Sequence, residues 1–495
     1  MPHPRVARTA LVTSAAIVFS CTPAVHAVPA DASAGGPIYR VATGVGADAR
    51  SVNFSWRSDH AGPEVVRVAP VNDPAAVREV TAREADFGAI AYRSRHAELA
   101  GLDPGVTYSY QIGSDAGGWS TPESFTIDDG DGNWTFLAVA DAQIGVDVKI
   151  SEQAATWRET LDSATAAHPD SSLILSLGDQ VEGWGDLIGP LGQYNAFFSA
   201  PQLRQFRTAA LEGNHEVLPL PVARRHFKEH WNLPNELDDT SHYFFEQNNA
   251  LFIALNSNRK DDAGLHEQAA FVRDTVAAHG EGKDWIIVAN HFAFHSQGGR
   301  YTSDDIVRMR EVLGPVFSEV GVDVVLNGHD HMHNRSHLIN GAQPKVPEHY
   351  AAPGDVLHPE EGDVLYLTLN TAVGGKYYDY QGNDGKTYPD MTLEQSRARG
   401  LNHPTIALWN QDRTPDYSVV NITPTTLQVR SLNAADGTLV DDVTLLRQDT
   451  PAPSGSGSAG SSSSTGSSVG AIAGIAVAVA ALGALAGLAL NLLRF

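Results

Sequence analysis

The chain has 495 residues, long enough for two or three domains, and 58 acidic against 34 basic side chains leave a formal net charge of −24. That balance excludes a binder of nucleic-acid backbones, which needs a basic face, and requires any anion site to bring its own local positive charge. The single cysteine, Cys21, excludes a disulfide scaffold.

Residues 1–27 open with Arg5 and Arg8, pass through Ala10-Leu11-Val12 and Ala15-Ala16-Ile17-Val18-Phe19, and leave at Ala24-Val25-His26-Ala27. A positive start, a short apolar core and a small-x-small exit predict a secretory signal peptide cut after Ala27, and so an exported protein. Cys21 falls inside that leader. A mature chain without cysteine must rest on core burial and on any metal it binds.

Residues 38–128 read as a small all-β sandwich. Ser51-Val52-Asn53-Phe54-Ser55-Trp56 and Val106-Thr107-Tyr108-Ser109-Tyr110-Gln111-Ile112 alternate at period two between turn signals. The stretch from His96 to Tyr110 resembles a fibronectin type III-like module, which implies a structural spacer.

The texture changes at Asn133. Up to about residue 446 the chain reads as one α/β domain, with apolar runs Phe136–Ala140, Leu173–Leu177, Leu251–Leu255, Trp285–Ala289 and Val322–Leu326. Helical patterns separate them; the one from Ser151 to His168 takes Ser151 as its N-cap. The runs at Val364–Leu369 and Thr426–Arg430 close the same domain. Continuous apolar strands alternating with helices mean strands covered on both faces, with ligands beyond their carboxyl ends.

Past the body, residues 451–469 are a Ser/Gly-rich linker, and residues 470–493 carry no charge before Arg494. About two dozen residues at about 1.5 Å each suffice for a bilayer core of about 30 Å. The expectation is a single C-terminal transmembrane helix with Arg494 on the inner side, holding the body at the extracellular face of the membrane.

The polar residues gather where the strands end: Asp141-Ala142-Gln143, Gly178-Asp179-Gln180, Glu212-Gly213-Asn214-His215-Glu216, Asn290-His291 and Gly328-His329-Asp330-His331. A polar turn is the bland explanation of any one of them. Five such exits at one rim point to a site. Carboxylate, amide oxygen and imidazole without thiolate suit iron, manganese or zinc. A pair of such ions clamps the oxygens of an in-line phosphoryl displacement and lowers the pKa of a bound water.

This ordered set resembles the calcineurin-like metallophosphoesterase superfamily, and with the preceding sandwich is most similar to its purple acid phosphatase-like branch. The resemblance covers about residues 38–446. It implies a four-layer fold of two mixed sheets flanked by helices, and two divalent or trivalent metal ions. Asp141, Gln143, Asp179 and His331 would hold the first ion; Asp179, Asn214, His291 and His329 would hold the second. Asp179 would bridge the two, and His215 would be the catalytic acid. Glu216 and Asp330 would orient the imidazoles. His295 and Arg300, in the loop after His291, are the expected substrate contacts, and Arg335 is a further arginine close behind the last ligand.

The implied activity is hydrolysis of small phosphate monoesters by metal-bound hydroxide. A phosphodiesterase or nucleotidase on the same centre, and a non-catalytic surface binding protein keeping the fold, are the alternatives. Two positions depart from the family pattern. Gln143 stands where most members have His, which weakens the first position. Glu182 stands where the purple branch has the Tyr whose phenolate colours the iron, so no such band is expected; Glu182 itself reads as a solvated loop carboxylate or an extra ligand.

Overall fold

The computed structural model describes residues 38–85, 93–183, 189–217 and 221–447. The apolar runs after Asn133 form strands of two sheets stacked face to face. In one sheet Trp134–Val139, Leu173–Ser176 and Arg207–Ala210 run parallel, with Leu137 opposite Ile174 and Leu175 opposite Ala209. In the other, Ala250–Leu255, Trp285–Asn290, Val324–Asn327 and Asp363–Thr368 run parallel.

These strands read as unbroken apolar runs because both of their faces are covered. Inward, Phe136, Ala138, Leu175, Phe252, Ile287 and Leu326 mesh between the sheets. On the outside, Leu137, Val139 and Ile174 meet Trp157 and Leu161 of the helix Ile150–Ala167. The outer face of the second sheet, with Ile253, Val288 and Val325, meets the helices Asp262–His279 and Asp304–Val320. The result is four layers: helix, sheet, sheet, helix. Each large aliphatic side chain so buried contributes about 1.5–3 kcal/mol, which fixes the strand ends from which the site is built.

Local signals place the helices. Asp261 caps Asp262–His279 by accepting the Gly264 N–H at 2.8 Å. Gly321, left-handed at φ 75°, stops Asp304–Val320 and turns the chain into the strand that leads to His329. Ser151 is not the cap expected of it. The helix starts at Ile150 with Lys149 at the N-cap and no side-chain cap. Gln153 ties the helix to the preceding loop instead, accepting from Gly145 N at 2.7 Å and donating to Val146 O at 3.0 Å.

Ahead of this domain, Val65–Pro70, Arg78–Thr81 and Thr107–Ser114 form a second small sheet packed over Val52–Ser58 and Arg93–Leu99. Phe54, Trp56, Val66, Val68, Tyr108, Tyr110 and Phe125 fill the space between. The sandwich is not self-contained. Its first strand, Ile38–Val45, pairs in parallel with Arg207–Ala210 at Gly44 and Thr208, so one eleven-stranded sheet runs through both domains.

The expected transmembrane helix is a correction. Among the described residues no helix is long and apolar enough to cross a membrane, and residues 470–493, like the leader 1–27 and the linker 451–469, lie outside the described residues. The apolar helices that are described bury their stripes on the sheets, as globular helices do.

Candidate metal centre

Asp141, Asp179 and Asn214 follow the carboxyl ends of the three parallel strands of one sheet, and His291, His329 and His331 follow two strands of the other. The seam between the sheets brings them together. His291 Nε2 lies 3.1 Å from Asp179 Oδ2, 3.1 Å from Asn214 Oδ1 and 3.2 Å from His329 Nδ1. His331 Nε2 lies 3.4 Å from Asp141 Oδ1. Asp179, His291 and His329 each offer a ligand atom within 4.8 Å of the others.

Outer contacts aim these rings. His291 Nδ1 donates to Leu177 O at 2.8 Å and His331 Nδ1 to Lys376 O at 2.6 Å, which leaves each Nε2 lone pair facing the seam. Around His291 Nε2 the acceptor oxygens of Asp179 and Asn214 and the ring nitrogen of His329 crowd within 3.2 Å. A cation resolves that arrangement; a proton is the substitute. Burial opposes charge on His291, yet Asp179 and Asp141 outweigh it and push the imidazole up to about 10. Burial likewise opposes charge on Asp179, but His291, His215 and His329 hold its carboxyl below the usual range. Among the described residues, Asp141 Oδ1, Gln143 Oε1 and His329 Nε2 are buried without a hydrogen-bond partner. Such orphaned donors are what a bound metal satisfies, so the residues present fit the ions that the resemblance implies.

The backbone is strained at the same places. Asp141 (φ 50°), Gln143 (38°), Asp179 (49°), His329 (74°) and His331 (44°) all adopt left-handed conformations, at about 1–3 kcal/mol each. Close approach fixes the glycines beside them: a Cβ on Gly328 would meet Asp141 Oδ2 at 2.6 Å, and one on Gly178, at φ 93°, would meet His291 Nδ1 at 2.8 Å.

The remaining expected residues are placed as follows. His215 sits beside the cluster, its backbone N–H donating to Asp179 Oδ1 at 2.8 Å and its Nε2 3.9 Å from Asp179 Oδ2. Glu216 does not orient an imidazole. It is buried, and accepts the backbone N–H groups of Asp179, Gln180 and Gly213 at 2.8–2.9 Å, bolting two site loops together. Burial, with Asp179 adding to it, pushes the Glu216 carboxyl up to about 8. Asp330 lies against the loop at Ser296 and Gly298; burial pushes it up to about 6. His295 is buried, its Nδ1 3.1 Å from Thr405 Oγ1 and its ring edge-on to Tyr366. Arg300 is exposed, and its charge acts on His329 and Asp330. Arg335 is withdrawn from any ligand: it is buried and paired with Asp441 at 3.1 Å and Asp355 at 3.2 Å. Glu182 is no solvated carboxylate but a partly buried acceptor for Gln143 Nε2 at 2.6 Å.

Three contributors escape the sequence reading. Thr371 donates to Asp141 O at 2.7 Å, Lys376 supplies the carbonyl that aims His331, and the Tyr378 ring stands edge-on to His331 at 5.1 Å. The signal for them was the carboxyl end of a sixth strand, Asp363–Thr368, followed by Gly374-Gly375-Lys376-Tyr377-Tyr378. Lys376 and Arg300 place positive charge at the centre of an otherwise acidic chain.

Comparison with known proteins agrees with this architecture. Residues 38–127 match the family model for the purple acid phosphatase N-terminal domain, and residues 135–333 that for calcineurin-like phosphoesterases. Purple acid phosphatase 17 of Arabidopsis thaliana is 33% identical over 98 residues, 20% of this chain and 27% of that one. Purple acid phosphatase 18 of the same plant is 23% identical over 284 residues, 53% of this chain and 59% of that one. The matched stretches thus span less than two thirds of either relative. The structure of purple acid phosphatase PPD1 from yellow lupin (Lupinus luteus) seeds shares the fold, with a TM-score of 0.65 at 15% identity, covering 84% of this chain and 75% of that one. Residues 38–333 thus carry, in order, matches to the purple acid phosphatase N-terminal domain and to the calcineurin-like phosphoesterases, and the chain shares the fold of a purple acid phosphatase.

Proposed function

We propose that this protein is a dinuclear metal-dependent phosphomonoesterase. The observation that carries the reading is the crowd of lone pairs at the seam, where buried Asp141 Oδ1, Gln143 Oε1 and His329 Nε2 have no hydrogen-bond partner among the described residues. Asp141, Gln143, Asp179 and His331 would hold one ion, and Asp179, Asn214, His291 and His329 the other, with iron, manganese or zinc suited to these donors. When bound, such ions neutralise the phosphoryl oxygens and lower the pKa of water.

The chain's own residues do the rest. Leu177 O and Lys376 O keep two imidazoles in the ligating tautomer. Glu216 holds the Asp179 and Gly213 loops at fixed spacing. Arg300 and Lys376 attract the anionic ester against the repulsion of an acidic surface. His215, anchored through Nδ1 to Glu182 O at 2.5 Å, supplies the imidazole beside Asp179 that gives a proton to the departing alcohol oxygen. Export, suggested by the leader-like residues 1–27, belongs to the same proposal.

The test compares p-nitrophenyl phosphate with bis-p-nitrophenyl phosphate as substrates of protein reconstituted with iron, manganese or zinc. Faster hydrolysis of the monoester supports the proposal, and preference for the diester moves it to phosphodiester chemistry. Bound metal with no turnover of either ester would favour a binding protein.

A further inference from the structure

The first metal position has an amide where an imidazole is expected, and a second residue sets the direction in which that amide faces. We propose that Glu182 is the positioning residue of this site: it locks the Gln143 amide so that Oε1, and not Nε2, is presented to the metal. The inference rests on the dinuclear reading above.

Two loops run side by side here. Gln143 N donates to Asp179 O at 2.8 Å, Glu182 N donates to Ile144 O at 3.0 Å, and Ile144 bridges Val181 in parallel. That zipper sets the Gln143 and Glu182 side chains next to each other. Gln143 Nε2 then lies 2.6 Å from Glu182 Oε2 and 2.9 Å from His215 Nε2. His215 Nδ1 faces the Glu182 carbonyl, which only accepts, so in the neutral ring the hydrogen is on Nδ1 and Nε2 is an acceptor. One amide hydrogen of Gln143 is therefore spent on the Glu182 carboxylate, and in the neutral ring the other faces His215 Nε2. The flipped amide would set its oxygen against the Glu182 carboxylate whether or not His215 holds the proton it gives to the leaving group. The orientation is fixed, and it turns Oε1 away from both partners. Oε1 is buried without a donor among the described residues, as is Asp141 Oδ1. Two such buried oxygens, with His331 Nε2 at 3.4 Å from the Asp141 oxygen, are the donors a hard cation takes, on the residues that the resemblance assigns to the first ion. Glu182 acts on it through Gln143 and is not itself a ligand.

The test counts metal per chain in full-length protein after reconstitution with manganese(II) and dialysis, with circular dichroism as the check on folding. Wild type is expected to keep two ions and Glu182→Ala one. Glu182→Gln still offers an oxygen to the Gln143 amide, so it is expected to keep two. The double variant Glu182→Ala with Gln143→His is also expected to keep two, because imidazole needs no amide lock. Equal loss in Glu182→Gln and Glu182→Ala would overturn the proposal by making Glu182 a charged ligand. Retention of both ions by Glu182→Ala would overturn it as well. A wild type that holds fewer than two ions would overturn the dinuclear reading itself, before any variant is compared.

Discussion

Asp141, Gln143, Asp179, His329 and His331 keep left-handed backbone only because surrounding groups over-determine it. Glu216 is the clearest of these, since one carboxylate accepts three backbone N–H groups from two loops. Glu216→Ala is expected to weaken metal retention by about 10–100-fold, the usual effect of losing an outer support of a metal site. Competition with a chelator measures it, and unchanged retention would remove Glu216 from that role. At this scale the ligand types were legible in the sequence, because Asp, Asn and His stand immediately after apolar runs. Their supports were not. Thr371 donates to the backbone carbonyl of Asp141 and Lys376 accepts through its own from His331, and a carbonyl leaves no mark in residue type. Arg335 shows the converse: an arginine four residues after a ligand is spent on Asp441 and Asp355 inside the core.

The strands of the second domain were readable as elements, since runs such as Trp285–Asn290 are buried along their whole length. What the runs did not reveal is how the β domain is held. Trp56, on the long sheet, donates its indole N–H to Glu64 Oε2 at 2.8 Å, and Ser58 donates to Glu64 Oε1 at 2.7 Å. Arg95 lies 3.6 Å from the same carboxylate. Glu64 precedes Val65–Pro70 of the small sheet, so this buried network joins the two faces of the sandwich. Glu64→Ala strands the Trp56 indole and Ser58 hydroxyl donors, while Arg95 keeps Glu84 at 2.7 Å. The substitution is expected to cost about 1–3 kcal/mol of stability. Urea unfolding checks this. A loss under ~1 kcal/mol, the scale of a surface pair, would mean the network is peripheral.

The molecule as a whole joins its two domains through one continuous sheet, which no local pattern announces, because the pairing of Ile38–Val45 with Arg207–Ala210 spans most of the N-terminal half. Where the domains meet, His96 is buried with its Nε2 3.2 Å from Glu229 O. Burial, with Arg83 nearby, lowers its pKa to about 3. The unfolded chain takes up this proton near pH 6.5 while the folded chain refuses it down to about 3, so stability falls as pH drops through that window. Between pH 7.5 and 5.0 this group alone is expected to remove about 2 kcal/mol, at about 1.4 kcal/mol per pH unit below 6.5. Urea unfolding of wild type and His96→Gln, both with metal chelated, measures it; equal losses in the two proteins would assign the pH dependence elsewhere.

The most direct measurement on the central claim takes metal content and p-nitrophenyl phosphate hydrolysis from the same samples of wild type and Asp179→Asn. The expected result is two ions per chain and turnover in wild type, against a folded variant whose turnover is lower by about 10²–10³-fold or more. Near-wild-type hydrolysis by Asp179→Asn, or a fully metallated wild type that leaves the ester intact, would contradict it.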